Sequence, residues 1–285
     1  MNLKGRYICN FLLGFVCLSF MVVPAISEGA ELKTETQQAW DAYIQTANSQ
    51  VMDRTHGHFL WVDEVPDRSR NVRDGKILVS PIGQENPKPV PYGLIHDWIG
   101  TAFIPDAKLE DALSAARDYD HYKEFYKPNV IDSKWLGTAG TCDKYWMLLA
   151  NHEIVASTAL EGEYEACYYR LDDRRWYSIA RTTRMREIRR YPQPGAQELS
   201  SEQDSGYIWR IYSFARFEER DGGVYVELEV IVLSRDIPAG LRWVVNPIVR
   251  RVSKSAMLTS LRQMEEAVDS TVGPSNRIAK QLRQP

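Results

Sequence analysis

The sequence predicts an α+β protein: a curved antiparallel sheet wrapped around one long C-terminal helix, with a helical extension ahead of it. Three observations predict this. Between residues 241 and 268, apolar side chains recur three or four residues apart, the mark of a helix burying one face. Before it, residues 130–234 read as successive strands with no helix between them. Residues 93–126 read as one strand and then two short helices. Segregated strands and helices of this kind make one sheet packed on helices.

In chain order, Lys4 and Arg6 precede an apolar run over residues 8–23, and Ala25-Ile26-Ser27 offers small residues for cleavage before Glu28. Residues 1–27 therefore read as a secretory signal peptide, and the expected location is periplasmic or secreted. Removing them leaves 33 basic and 38 acidic residues, a net charge of -5. That balance argues against a nucleic-acid partner. At 44% hydrophobic and 26% charged, the chain has the composition of a protein with a true core. Of the four cysteines, Cys142 and Cys167 remain after cleavage. Whether they pair is open at this level; two are too few for a zinc cluster.

Residues 28–92 read as an N-terminal extension. A helix is expected over 31–54, with Trp40, Tyr43, Ala47 and Val51 on one face. A short strand is expected at 58–62, a charged loop at 63–76 and another short strand at 76–80. Pro81, Pro87, Pro89 and Pro91 then punctuate a linker-like stretch.

The main domain is expected over 93–270, with a tail at 271–285. Its first strand, 94–104, has no clean apolar face. A helix follows at 108–118 and a second at 119–126, carrying Tyr119, Tyr122, Phe125 and Tyr126. Strands are expected at 130–136, 145–149, 153–158, 163–171, 175–188, 207–220 and 224–234. Asp221-Gly222 between two alternating runs is a strong hairpin signal. A two-residue turn there sets Arg220 opposite Gly223, and, counting outward, Phe217 opposite Val226, Ala215 opposite Leu228, Ser213 opposite Val230 and Ile211 opposite Val232 on an inner face. It also sets Arg216 opposite Glu227 and Phe214 opposite Glu229 on the outer one. A slip of one residue would exchange the faces; a slip of two, with Gly222-Gly223 as the turn, remains open. In the last helix the expected inner stripe is Leu241, Val245, Ile248 and Val252, then Met257, Leu258, Leu261, Met264 and Val268. Pro247 predicts a kink or a short leading helix.

Two stretches carry a family resemblance. Phe103-Ile104-Pro105, residues 109–113, Asp118-Tyr119, Tyr122, Tyr126-Lys127-Pro128, Val130 and Ser133 form one; Ile237-Pro238, Trp243, Asn246, Leu258 and Leu261-Arg262 form the other. Together they resemble the START-like branch of the polyketide cyclase and lipid-transport (SRPBCC) superfamily, over residues 93–270. The resemblance implies the helix-grip fold and a lipid, sterol or polyketide held between sheet and helix. A minority of that superfamily are cyclases, and it has no universal catalytic signature to carry over.

The residues themselves show little catalytic patterning. Nucleophile-elbow, dinucleotide and P-loop motifs are missing. His56-Gly57-His58 has no third ligand near in sequence, so neither a metal nor a cofactor is expected. Tryptophans on the strands and last helix, Trp98, Trp146, Trp176, Trp209 and Trp243, suit the walls of an apolar cavity. Gly100, Ala102, Ser178, Ala180, Ser213 and Ala215 leave room among them. The expected ligand-binding set is Trp98, Ala102, Tyr122, Trp146, Trp209, Ser213, Ala215, Val245, Val249 and Leu261. The leading expectation is a monomeric, non-catalytic binder of a hydrophobic, lipid-like molecule. The alternatives are a cyclase or aromatase-like enzyme using a buried His96, Tyr122 or Arg184, and an envelope interaction module without a cavity. Arg181, Arg184, Arg186, Arg189 and Arg190, with Arg250 and Arg251, are candidates for a basic rim in transient contact with a membrane surface. On a regular strand Arg181 would face away from Arg184 and Arg186 unless a bulge intervenes.

Overall fold

The computed structural model describes residues 32–151, 158–189, 191–192, 197–198, 207–237 and 239–271. The expected signal peptide, all but the last residue of the strand expected at 153–158, and the tail past residue 271 lie outside them. The fold is the expected α+β arrangement of a large antiparallel sheet and a long C-terminal helix, with a helical N-terminal region.

The N-terminal region is helix α1 (Thr34–His56), a 3-10 turn (Trp61–Glu64) and helix α2 (Pro66–Arg73). The turn stands where a strand was expected, because Phe59, Leu60, Trp61 and Val62 are all buried rather than alternately so. Helix α2 replaces the expected charged loop; Pro66 suits its first position and Val72 alone anchors it. Strands β1 (Leu78–Pro81) and β2 (Lys88–Val90) both pair with β3 (Gly93–Pro105). Helix α3 (Leu109–Arg117), a 3-10 turn (Tyr119–His121) and helix α4 (Tyr122–Phe125) follow. Then come β4 (Val130–Ala139), β5 (Cys142–Asn151), β6 (Thr158–Arg170), β7 (Arg175–Arg189), β8 (Gln197–Glu198), β9 (Ile208–Arg220) and β10 (Gly223–Arg235). A 3-10 turn (Ala239–Leu241) leads into α5 (Arg242–Thr271), which runs through Pro247. At 30 residues α5 is about 45 Å long. The main strand order is β1-β3-β10-β9-β7-β6-β5-β4, with β8 paired to β7.

The β9–β10 hairpin has the expected register, with Arg220 opposite Gly223 and Ala215 opposite Leu228. Asp221 and Gly222 both have positive φ, 56° and 81°, as a turn matching the strand twist requires. Gly223 cannot take part in the turn of the slipped alternative without moving, because its backbone is pressed against β3. A Cβ there would stand 2.3 Å from the Ile104 carbonyl oxygen.

Strand β3 lacks a clean face because both its faces are covered, and twelve of its thirteen residues are buried. On the outer face, Trp40, Val51, Leu60 and Val72 pack on Ile99, Phe214, Tyr225 and Ile231. On the inner face, Met257, Leu261, Met264 and Val268 of α5 and Leu109 and Ala112 of α3 pack on Trp98, Ala102, Phe217 and Val226. The helix passes so close that a Cβ on Gly100 would lie 2.7 Å from Leu261 Cδ1.

Burial of the outer face changes the meaning of its charges. Arg216 is 1% exposed and Glu227 0%. The guanidinium donates to Glu227 at 3.2 Å and to Glu229 at 3.1 Å. Glu227 also accepts from the Trp61 N–H at 2.8 Å and the Thr101 hydroxyl at 2.9 Å. An exposed cross-strand pair contributes well under about 1 kcal/mol, whereas removing one partner of a buried pair costs about 3–5 kcal/mol.

Candidate functional site

The register brings small side chains together at the middle of the inner face. Trp98, Val230, Ser213, Ala180 and Ala166 lie side by side across β3, β10, β9, β7 and β6. The neighbouring row is Gly100, Leu228, Ala215, Ser178 and Tyr168. Ser213, Ala180, Ala166, Ala215 and Ser178 thus form a low floor with aromatic rings at its ends. Ala215, Leu228 and Val230 are only partly buried, so α5 does not cover this floor completely.

A wall of tyrosines bounds the β5–β6 side. Tyr119 stacks on Tyr145 at 4.3 Å between ring centroids, and Tyr145 on Tyr164 at 5.0 Å. Tyr122 meets Tyr119 and Tyr126 edge-on. The Tyr168 and Tyr122 hydroxyls both donate to the Ala116 carbonyl, which ties the wall to the end of α3. Burial raises the pKa of each of these tyrosines, to about 12 for Tyr168, so they are neutral donors. Arg117 and Tyr119 both donate to Asp143, and the guanidinium holds that carboxyl below its usual range against the upward push of burial.

Among the described residues, Trp98 Nε1 and Tyr164 Oη of this face, and Asn246 Oδ1 on α5, are buried polar atoms without a hydrogen-bond partner. Leaving such groups unpaired costs about 1–3 kcal/mol each. Tyr164 lies flat over Gly162, where a Cβ would come within 2.6 Å of its ring and 2.8 Å of its hydroxyl. His96 shares the face of Trp98; its Nε2 is 2.9 Å from the Ser234 hydroxyl, and burial lowers its pKa to about 4.

Of the ten expected ligand-binding residues, Trp98, Ala102, Ser213, Ala215 and Leu261 belong to this inner face, and Tyr122 to its tyrosine wall. Val245 and Val249 are half-buried on the first half of α5. Trp146 and Trp209 look the other way. Trp146 alternates with the inward Tyr145 and Met147, and its indole donates to Glu161 at 2.8 Å. Trp209 is turned outward by a bulge in β9 opposite Leu233 and Ser234, and it packs beneath α1. The expected stripe on α5 is also displaced. Ile248 is 54% exposed and Trp243 79%, while Asn246, Ser253, Met257, Leu261 and Met264 follow one face. The row of α5 packed in the apolar core therefore lies in its second half, from Met257 to Val268. Of the residues not anticipated for the site, Tyr145, Tyr164 and Tyr168, the last two carried one signal: four apart on a strand with Ala166 between them, they share a face.

Three arginines of the expected basic rim are paired with carboxylates. A bulge at Thr183 brings Arg181 onto the same outer face as Arg184 and Arg186. Arg181 pairs with Glu165 at 2.8 Å, Arg184 with Glu163 at 3.6 Å, and Arg186 with Glu161. The side chains of Arg189 and Arg190 lie outside the described residues. Arg184, half-exposed on this face, is not the buried group that catalysis would need. Beside the ladder, Cys142 and Cys167 stand opposite each other on β5 and β6 and form a disulfide.

Elsewhere, an open groove of about 630 Å³ runs along α1 on the far side of the sheet, lined by Ile44, Asn48, Met52 and neighbours from that helix. Being walled by one element, it lacks the converging groups of a site. Among the described residues, no three His, Cys, Asp or Glu side chains are grouped to hold a metal ion.

No family model matches the sequence. No curated protein matches it either. Solved structures do resemble it in fold. The STAR-related lipid transfer protein from Xanthomonas axonopodis is 14% identical, with 68% of this chain and 93% of that one covered at a TM-score of 0.48. The Zhui aromatase/cyclase from Streptomyces sp. R1128 is 10% identical, covering 64% and 98% at 0.44. Human STARD10 is 9% identical, covering 72% and 76% at 0.42.

Proposed function

We propose that the chain is an exported, non-catalytic binding protein for a hydrophobic, lipid-like small molecule held between the inner face and α5. The observation that carries this reading is the low floor of Ser213, Ala180, Ala166, Ala215 and Ser178 between Trp98 and the tyrosine wall. Partly buried apolar side chains beside it supply the contact surface. Each methylene buried there contributes about 0.8 kcal/mol, so shape and apolarity suffice for affinity. Export is supported by the basic start and apolar run of the N-terminus and by a disulfide, a bond that persists in oxidising compartments.

A cyclase-type enzyme is the second reading, favoured by His96, a buried imidazole kept neutral on the inner face. Native mass spectrometry of protein from its own host separates the two. A co-purified apolar molecule and a mature chain starting near Glu28 are expected. An empty protein that converts a poly-β-ketone in a His96-dependent manner would replace the first reading by the second. A mass that includes Met1 or Asn2 would remove the export claim.

A further inference from the structure

We infer that the inner face selects a neutral apolar molecule bearing a hydrogen-bond-accepting oxygen, such as a ketone or ester carbonyl, through the Trp98 indole N–H and the Tyr164 hydroxyl. This rests on the binding function proposed above and names the chemistry of its ligand. Trp98 is 7% exposed and Tyr164 5%, and the polar atom of each is buried without a partner. An indole N–H can only donate, and a neutral phenol donates readily, so both call for an acceptor. Tyr164 is held in place for this task, pressed on Gly162 from one side and stacked on Tyr145 from another. The Asn246 amide presents both a donor and an acceptor, so it suits either sign and does not discriminate.

Among the described residues, the floor itself carries no cation, and Arg250 of α5 is exposed and donates to the Asn86 carbonyl. The polar side chains at the floor are Ser178, Ser213 and Thr182, and His96 is neutral and engaged with Ser234. Arg117 is paired with Asp143 beyond the tyrosine wall, and Arg181, Arg184 and Arg186 are on the opposite face. A carboxylate buried here would lose its hydration without a paired cation, a heavy cost. A plain hydrocarbon would leave both donors unpaired. Trp98 and Tyr164 stand four strand spacings apart on β3 and β6, roughly 19 Å along the sheet, so one oxygen meets one donor at either end of an elongated guest.

The test uses the full chain and three eleven-carbon probes at pH 8: undecane, 2-undecanone and undecanoate, each displacing Nile red. The ketone is expected to bind more tightly than the carboxylate. Because its single carbonyl reaches one donor at a time, the ketone is expected to weaken about tenfold in the Tyr164→Phe/Trp98→Phe double variant and less in either single one, while undecane changes less than about twofold. Undecane binding in each variant also reports that the fold survives. Carboxylate binding as tight as the ketone's overturns the inference, and so does a ketone affinity unchanged in the double variant. Failure of all three probes to displace the dye overturns the underlying binding function and this inference with it.

Discussion

His96 and Asp97 are neighbours in β3 whose side chains leave the sheet on opposite faces, and both titrate abnormally. Burial and the nearby Glu229 raise Asp97 to about 7, against hydrogen bonding from Tyr43 at 2.8 Å and the charge of Arg216. Burial lowers His96 to about 4. The carboxyl, with its raised folded pKa, stabilises the fold most at low pH, and that contribution fades as pH rises through 7. The imidazole, with its lowered folded pKa, stabilises above its unfolded value of about 6.5, and that contribution fades as pH falls towards 4. Between those limits the two slopes oppose each other. Denaturant titrations across pH 4 to 7 should therefore be nearly flat for the wild type. Asp97→Asn should leave stability rising with pH, and His96→Gln should leave it falling. Parallel profiles in the two variants would show that these residues do not carry the linkage.

Elements show where sequence patterns suffice and where they fail. The β9–β10 hairpin was legible because Asp221-Gly222 selects one turn and the alternating faces forbid a slip. Its closeness to β3 makes a further prediction. Gly223→Ala drives a Cβ into the Ile104 carbonyl and should cost on the order of 3 kcal/mol. Gly222→Ala, strained only by its φ of 81°, should cost about 1–2 kcal/mol. Urea denaturation gives the ranking, and the reverse order would mean that β3 yields at that contact. Bulges were not legible, since one extra residue in a strand leaves no compositional trace. The bulge in β9 sends Trp209 to the outer face, and the one at Thr183 aligns three arginines that strict alternation would separate. Nor could the sequence of α5 show that only its second half enters the apolar core. Ile248 and Val252 keep helical spacing, yet the row that faces inward there starts from Asn246. The inner-face floor was legible in its small residues, which follow strand phase, but its unpartnered polar atoms were not, because they depend on what stands across the sheet.

At the scale of the whole molecule, the covering of both faces explains why the N-terminal region cannot be dismissed as an appendage. It buries Arg216, Glu227 and Asp97, supplies a backbone N–H to Glu227, and adds β1 and β2 to the sheet. The strand order also links distant parts of the chain, since β3 lies between β1 and β10, pairing with β1 over Trp98–Thr101 and with β10 along its whole length. A ribosome finishes β3, at Pro105, more than a hundred residues before β10, its full-length partner, begins at Gly223. Contacts so distant in sequence make folding slow and late. A chain stopped at residue 222 should remain protease-sensitive throughout residues 34–105, whereas one stopped at residue 271 should resist; equal resistance in limited proteolysis would show that the early half closes on itself. Emergence from the ribosome thus leaves a long interval in which the polypeptide is still threadable, and the last strand to be made is the one that ends it.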